Sequence, residues 1–363
     1  MFSAADHDHM ARALRLAELA AAPTTPNPRV GCVIVKAGEV VGEGWHQRAG
    51  EAHAEIHALQ SAGSKARGAT VYITLEPCSH HGRTPPCADA LIGAGVARVV
   101  AAMQDPNPQV AGQRMARLAA AGIAAECGLL EAEARELNVG FISRMSRGRP
   151  WLRLKLAASL DGKTALTNGV SQWITGPEAR RDGHRWRARA CAILSGIGTV
   201  RADDPRLDVR DVETTRQPLK VVVDSGLDLP LDARLLEGSS VLVACAAESR
   251  EKSAALRERG VEVLLLPGPG GKVDVPSLLA ELGRRGINEL HVEGGHRLNG
   301  ALLAAGLVDE LLLYLAPCLL GDDANGMFGL PPLTSLEDKH RLVVRDLRLI
   351  GADLRIVARL TAK

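Results

Sequence analysis

A chain of 363 residues is more than one hydrophobic core usually organises, and an ordinary domain size of roughly 100–200 residues predicts two domains. Hydrophobic residues at 46% and charged residues at 24% are globular proportions and exclude a disordered or collagen-like chain. Four Trp, two Tyr and three Phe are too few for a base-stacking RNA surface, and 44 Lys and Arg against 42 Asp and Glu leave +2, too weak a field to hold a polyanion.

The first residues, Met1 to His9, have no basic segment followed by an apolar run, so no signal peptide is expected. No apolar stretch approaches the roughly 18 residues of a membrane span, and a cytoplasmic protein is the expectation. The elements then follow in order. Met10–Ala22 reads as a helix capped by Asp8, and the prolines of Thr24-Thr25-Pro26-Asn27-Pro28 dictate a loop. Val30–Lys36 and Glu39–Trp45 read as strands joined at Ala37-Gly38. A helix over His53–Ala62 and a strand over Ala69–Leu75 follow. After them alternate a helix (Cys87–Ala94), a strand (Ala97–Met103), a helix (Gly112–Ala121), a strand (Ile123–Glu126) and a helix (Leu130–Met145). That alternation predicts a three-layer α/β/α domain.

The basic, proline-closed stretch Ser146-Arg147-Gly148-Arg149-Pro150 marks the expected boundary, giving domains 1–147 and 148–363. A strand restarts at Trp151–Ala158. Further strands are read at Leu219–Asp224, Ser240–Ala244, Val261–Leu266, Glu289–Glu293 and Glu310–Leu315, with Arg341–Leu347 and Asp353–Leu360 as a closing antiparallel pair. Of seven cysteines, Cys32, Cys127, Cys191, Cys245 and Cys318 sit among apolar neighbours and read as buried small hydrophobes.

Cys78 and Cys87 are different. His53-Ala54-Glu55, then Pro77-Cys78, then Cys87 supply one imidazole and two thiolates, the three protein ligands of an open catalytic zinc site with a fourth position for water. Glu55, two residues after the histidine and not itself a ligand, can shuttle protons between that water and a ring substrate. Both ligand segments open predicted helices, whose N–H groups favour the thiolate. A metallopeptidase helix fails on spacing, because Glu55 lies two residues from both His53 and His57; His57 is read as a packing residue. A purely structural zinc module remains open and predicts a closing fourth ligand from His80 or His81. In the second half, Gly196-Ile197-Gly198 and Gly270-Gly271-Lys272 lack the residues that complete dinucleotide and phosphate loops. Glu293-Gly294-Gly295 ends a strand and opens a helix, where free N–H groups suit an anion.

The His-x-Glu and Pro-Cys…Cys elements resemble the cytidine-deaminase superfamily, with eight residues between the cysteines where the usual form has two. The run Thr74 to Cys87, with Asn27-Pro28-Arg29-Val30-Gly31 and Gln104-Asp105-Pro106-Asn107-Pro108, is similar to the pyrimidine deaminases of riboflavin biosynthesis. In the second half, Lys155 to Lys163, Ser171-Gln172-Trp173-Ile174-Thr175, Gly198 to Pro205 and Val292-Glu293-Gly294-Gly295 resemble the reductases of the same pathway. The chain as a whole thus resembles the bifunctional deaminase–reductase family. The resemblance implies a cytidine-deaminase-like α/β/α domain followed by a dihydrofolate-reductase-like α/β domain. It also implies a phosphoribosyl pyrimidine as small-molecule substrate, Zn²⁺ and NADPH as cofactors, and a homo-oligomer (dimer or tetramer) without nucleic-acid or membrane partners. The implied zinc ligands are His53, Cys78 and Cys87, with Glu55 catalytic, Asn27 on the base and Arg83 on the phosphate. The implied NADPH contacts are Ala157, Trp173, Thr199, Asp203, Ser225, Gly294 and Gly295. Ser171, Arg187, Leu207, Arg210 and Glu293 fall on the substrate, with Lys155 a candidate to orient or protonate the sugar. The rival reading is a nucleic-acid base deaminase with an unrelated C-terminal domain.

Overall fold

The computed structural model describes residues 1–20, 24–78, 87–107 and 112–361. The chain forms two compact units, Met1–Gly148 and Arg149–Lys363. Among the described residues no helix is long and apolar enough to cross a membrane.

The N-terminal unit runs α1 (Ala4–Glu18), β1 (Gly31–Lys36), β2 (Glu39–Trp45), α2 (Ala54–Ala62), β3 (Thr70–Ile73), α3 (Cys87–Ala94), β4 (Arg98–Ala101), α4 (Gln113–Ala120), β5 (Ala124–Cys127), α5 (Glu131–Leu137) and α6 (Val139–Arg147). Its strands lie in the order β2-β1-β3-β4-β5. β1 is antiparallel to β2 and β3, and β3, β4 and β5 run parallel. Ala37 and Gly38 turn the first hairpin with positive φ at both positions, the geometry that matches strand twist.

Glycines set the layers. A Cβ on Gly31 would meet the α1 backbone, and Cβ atoms on Gly42 and Gly44 would meet that of α2. Gly44 pairs with Cys32, the neighbour of Gly31 whose side chain takes the opposite face. Helices α1 and α2 therefore cover opposite faces of the sheet, as the alternation predicts, around a buried core that includes Ile34, Ile73, Leu91 and Val100.

Two expectations are corrected here. Helix α1 starts at Ala4, not Met10, because Ser3 and Asp6 form a reciprocal capping box that satisfies the first free N–H groups. The single helix expected over Leu130–Met145 is two, broken at Asn138. The Asn138 side chain accepts the Arg29 N–H (2.8 Å) and donates to the Arg29 carbonyl (2.9 Å), fixing the residue in a non-helical turn.

The C-terminal unit runs β6 (Trp151–Ser159), β7 (Lys163–Ala165), α7 (Pro177–Arg189), β8 (Ala192–Gly196), α8 (Ile197–Asp203), β9 (Leu219–Val223), β10 (Val241–Cys245), α9 (Arg250–Glu258), β11 (Val261–Leu265), α10 (Val275–Arg284), β12 (Glu289–Val292), α11 (His296–Ala304), β13 (Glu310–Ala316), β14 (Asn325–Gly326), β15 (Leu342–Ile350) and β16 (Asp353–Leu360). The large sheet has the order β11-β10-β9-β8-β12-β6-β13-β16-β15, parallel as far as β13 and antiparallel beyond it. The chain moves outward from β8 to β11, then returns to insert β12 between β8 and β6. Such a switch opens a crevice beyond the strands' carboxyl ends. The closing pair lies where the alternation of Asp353–Leu360 places it. Cys32, Cys191 and Cys245 are buried as expected, whereas Cys127 is half-buried and Cys318, in the loop beyond β13, is exposed.

Candidate active sites

In the N-terminal unit the close approach of α2 to β2, permitted by Gly42 and Gly44, fixes where α2 begins. Its N-cap is His53. Cys78 follows β3 and Cys87 is the first residue of α3. Ligand atoms of these three residues all lie within 4.8 Å of one another. The Cys78 and Cys87 sulfurs are 3.3 Å apart, and Cys87 Sγ is 3.3 Å from His53 Nδ1. The hydrogen bond between the sulfurs, with another to His53, pulls Cys78 down, while that same sulfur contact and burial push Cys87 up. Soft sulfur and imidazole donors converging at one point fit Zn²⁺. His57 is outside this cluster and packs where α2 approaches Gly44. Arg83, with the alternative ligands His80 and His81, lies outside the described residues.

Glu55 is buried in the first turn of α2 and lines a cavity of about 250 Å³ with His53, Cys78, Asn27, His46 and Glu76. Burial pushes its carboxyl up to about 7, against hydrogen bonds that favour the anion. That places it where a group can both take and return a proton near neutrality. His46, which the sequence reading missed, sets the polarity of Asn27. Its Nδ1 lies 3.2 Å from the Ala52 carbonyl, which can only accept, so Nδ1 carries the proton. Burial favours the neutral ring. Nε2 therefore accepts from Asn27 Nδ2 at 3.1 Å, and the Asn27 carbonyl oxygen is left for the cavity.

The second cavity, about 520 Å³, lies in the C-terminal unit. It brings together Lys155 from β6, Arg187 from α7, Thr199 and Asp203 from α8, and Glu293 just beyond β12. Trp173, Leu207 and Arg210 complete the expected residues on its wall. Arg187 grips Glu293 with two hydrogen bonds, Nε to Oε1 at 2.5 Å and Nη2 to Oε2 at 2.8 Å, and donates a third to the Asp208 carbonyl at 2.9 Å. Burial opposes ionisation of Glu293, but Arg187 and Lys155 hold its carboxyl well below the usual range. Burial pulls Lys155 down, with Glu293 opposing and Arg187 adding to the shift. Trp173 is 65% exposed, with the Arg180 guanidinium 4.6 Å above its ring, so it is not core filler.

Ser171 reaches the cavity through Asp203, its hydroxyl 3.4 Å from the carboxylate. Gly295 is the N-cap of α11, and a Cβ there would stand 3.5 Å from Thr199 Oγ1; Gly294 has no such room. Ala157 and Ser225 are not on the cavity wall. Ala157 pairs with Tyr314, which is, and Ser225 accepts the Val273 N–H at 3.3 Å beyond β9. His184 was missed: its Nδ1 accepts the Arg210 N–H at 3.3 Å and so holds the segment carrying Leu207 and Arg210. Its position three residues before Arg187, on the same helix face, was the available signal.

Residues 150–353 match the RibD C-terminal domain, and residues 3–103 match the cytidine and deoxycytidylate deaminase zinc-binding region. The riboflavin biosynthesis protein RibD of Escherichia coli strain K12 is 52% identical, the alignment covering 96% of this chain and 98% of that one. The Haemophilus influenzae protein of the same name is 47% identical over 98% of this chain and 97% of its own. Among solved structures, Acinetobacter baumannii RibD superposes with a TM-score of 0.91 at 42% identity over 99% of both chains. The diaminohydroxyphosphoribosylaminopyrimidine deaminase/5-amino-6-(5-phosphoribosylamino)uracil reductase of Thermotoga maritima does so at 0.87 and 33% identity, over 98% of this chain and 99% of that one. With relatives this similar aligned from end to end, the chain belongs to the RibD family.

Proposed function

We infer that the chain is a two-activity enzyme of riboflavin biosynthesis. It hydrolytically deaminates 2,5-diamino-6-(5-phosphoribosylamino)pyrimidin-4(3H)-one to 5-amino-6-(5-phosphoribosylamino)uracil, then reduces the ribosyl to the ribityl side chain with NADPH. The observation that carries this reading is the His53, Cys78 and Cys87 donor cluster with buried Glu55 beside it, in a chain that aligns with RibD across both units. A nucleic-acid base deaminase with an unrelated C-terminal domain is not favoured, because residues 150–353 match the RibD reductase half as well. We assign the deaminase to residues 1–147 and the reductase to 148–363.

In the first step water adds to the amino-bearing ring carbon, a C–O bond forms, and the C–N bond breaks to release ammonia. His53, Cys78 and Cys87 would hold Zn²⁺, which when bound would supply the Lewis acidity that makes water nucleophilic at neutral pH. Glu55 takes the water's proton and delivers it to the departing nitrogen. The Asn27 carbonyl oxygen accepts a hydrogen bond from a base N–H, and Arg83 holds the phosphate.

In the second step NADPH, when bound in the C-terminal cavity, would supply the hydride that the ribosyl carbon takes up, leaving as NADP⁺. The C–O bond of the sugar ring opens, and its oxygen takes a proton. Lys155 lines this cavity and burial raises its acidity, which supports a role in giving that proton or orienting the oxygen. Arg187 and Arg210 would hold the sugar phosphate, Glu293 would accept from the ribose hydroxyls, and Ser171 and Leu207 would complete the substrate contacts. Trp173, Thr199, Asp203 and the Gly294-Gly295 turn would align the dinucleotide, and Ala157 and Ser225 belong to the same proposed set.

A cytoplasmic location and a homo-oligomer, dimer or tetramer, belong to the same reading. Edge strand β15 exposes Leu342, Val343, Val344, Leu347 and Leu349, apolar surface that favours pairing with a second copy. Glu55→Gln tests the whole. Ammonia release should fall by about 10²–10⁴-fold, with zinc content unchanged and NADPH oxidation on pre-deaminated substrate intact. Loss of both activities would overturn the assignment of separate sites.

A further inference from the structure

Glu76 lies two residues before Cys78, is buried, and has no part in the steps above. Four backbone N–H groups converge on its carboxylate. Oε2 accepts from Asp105 (3.1 Å) and Gly112 (3.0 Å), and Oε1 accepts from Arg114 (3.0 Å) and Met115 (3.3 Å). The last two belong to the first turn of α4, where N–H groups have no intrahelical partner. Asp105 in turn binds the buried Arg114 guanidinium at 2.6 Å and accepts the Asn107 N–H at 2.9 Å. Glu76, Asp105, Asn107 and Arg114 all line the Glu55 cavity.

We propose that Glu76 is a positioning residue for the deaminase. It ties the 104–107 segment and the start of α4 to the segment that carries Cys78 beyond β3, and so sets the cavity wall that faces the pyrimidine. The carboxylate fits this task because all four partners are donors; an amide oxygen can serve one pair, and the amide NH₂ would face the other pair donor to donor. The proposal rests on the deaminase reading of this cavity, which ammonia release by the wild-type zinc enzyme tests separately.

The experiment compares Glu76→Gln and Glu76→Asp with wild type in the full chain, measuring deaminase KM and kcat, zinc content and reductase activity. Leaving one buried donor pair unpaired should raise the deaminase KM by about tenfold to a hundredfold. We expect kcat within about threefold, zinc at the wild-type level and the reductase unchanged. Glu76→Asp, which keeps both acceptor oxygens, should recover part of the KM loss. If kcat falls with KM unchanged, if zinc is lost, or if both parameters stay at wild type, the proposal is overturned. Should Glu76→Gln fail to fold, an unchanged KM in Glu76→Asp overturns it equally, since the shorter arm cannot reach both donor pairs unaltered.

Discussion

The Arg187–Glu293 pair offers the sharpest quantitative test of the reductase cavity. Its side chains are only 14% and 16% exposed, and its geometry is bidentate. Arg187→Ala leaves a largely buried carboxylate without its main partner and strips the Asp208 carbonyl of a donor. Breaking a fully buried pair costs about 3–5 kcal/mol. The residual exposure and the nearby Lys155 reduce this, so about 2–4 kcal/mol is expected for the C-terminal unit. Glu293→Gln keeps an acceptor and loses the charge, at about 1–2 kcal/mol. The double variant should then show a coupling of about 1.5–3 kcal/mol in urea unfolding followed by tryptophan fluorescence, to which Trp151, Trp173 and Trp186 of this unit contribute. The pH dependence has a definite sign. Glu293 has a folded-state pKa below its unfolded value, so the pair's contribution is fully present above the unfolded carboxyl pKa, about 4.3, and is lost as pH falls through the folded value. The stability gap between wild type and Glu293→Gln should therefore narrow in acid. A coupling below about 0.3 kcal/mol, within the range of independent sites, would refute the claim that the pair acts as a unit.

Two further outcomes follow from the N-terminal unit. In Gly44→Ala the new Cβ would stand 2.5 Å from the Ala54 carbonyl oxygen and 2.6 Å from the Ala58 nitrogen, both backbone atoms, so α2 must retreat and carry His53 and Glu55 with it. Elemental analysis should show reduced zinc and ammonia release should collapse while NADPH oxidation persists; full zinc with full deaminase activity would contradict this. Asp6, though buried, is held below the usual carboxylate range by Arg98 (2.6 Å), the Ser3 cap and the Tyr72 hydroxyl (2.7 Å). Asp6→Asn should cost the N-terminal unit about 2–3 kcal/mol near neutrality. That difference should shrink as pH falls through the depressed pKa, measured by thermal unfolding at several pH values.

What the sequence disclosed and what it hid divide by the reach of the interaction concerned. Helix α3 and strands β2 and β16 have the bounds that periodicity and turn residues give them, because their signals are local. The donor cluster was legible for the same reason: His53 and Cys87 open helices α2 and α3, and Cys78 follows Pro77 in the short segment beyond β3, positions that short-range pattern marks. The break at Asn138 was not legible, since the partner that holds its side chain, Arg29, lies 109 residues away. The start of α1 was missed although its signal was local, because Ser-x-x-Asp is a weaker form of the Ser-x-x-Glu box. The roles of His46, Glu76 and His184 depend on the backbone groups of Ala52, of residues 105–115 and of Arg210, which no residue-type pattern specifies.

Both candidate sites lie beyond the carboxyl ends of parallel strands, and this has a physical cause. In a parallel sheet each strand feeds a helix whose N-terminus points back toward the strand's end, so free N–H groups and positive potential collect at one edge. In the N-terminal unit that edge carries Cys78 beyond β3, Cys87 opening α3, and the α4 amides that bind Glu76. In the C-terminal unit it carries Glu293 beyond β12 and the Gly294-Gly295 turn opening α11. One arrangement thus serves two kinds of anion, thiolate ligands in the first unit and the phosphates of the proposed dinucleotide in the second. A carboxylate there is stable only when donors close on it from several sides, as the four amides do on Glu76 and Arg187 does on Glu293. Glu55 has no such cationic clamp, and burial pushes its carboxyl upward where Arg187 and Lys155 hold that of Glu293 down, which suits a group that must exchange a proton and not merely hold a charge.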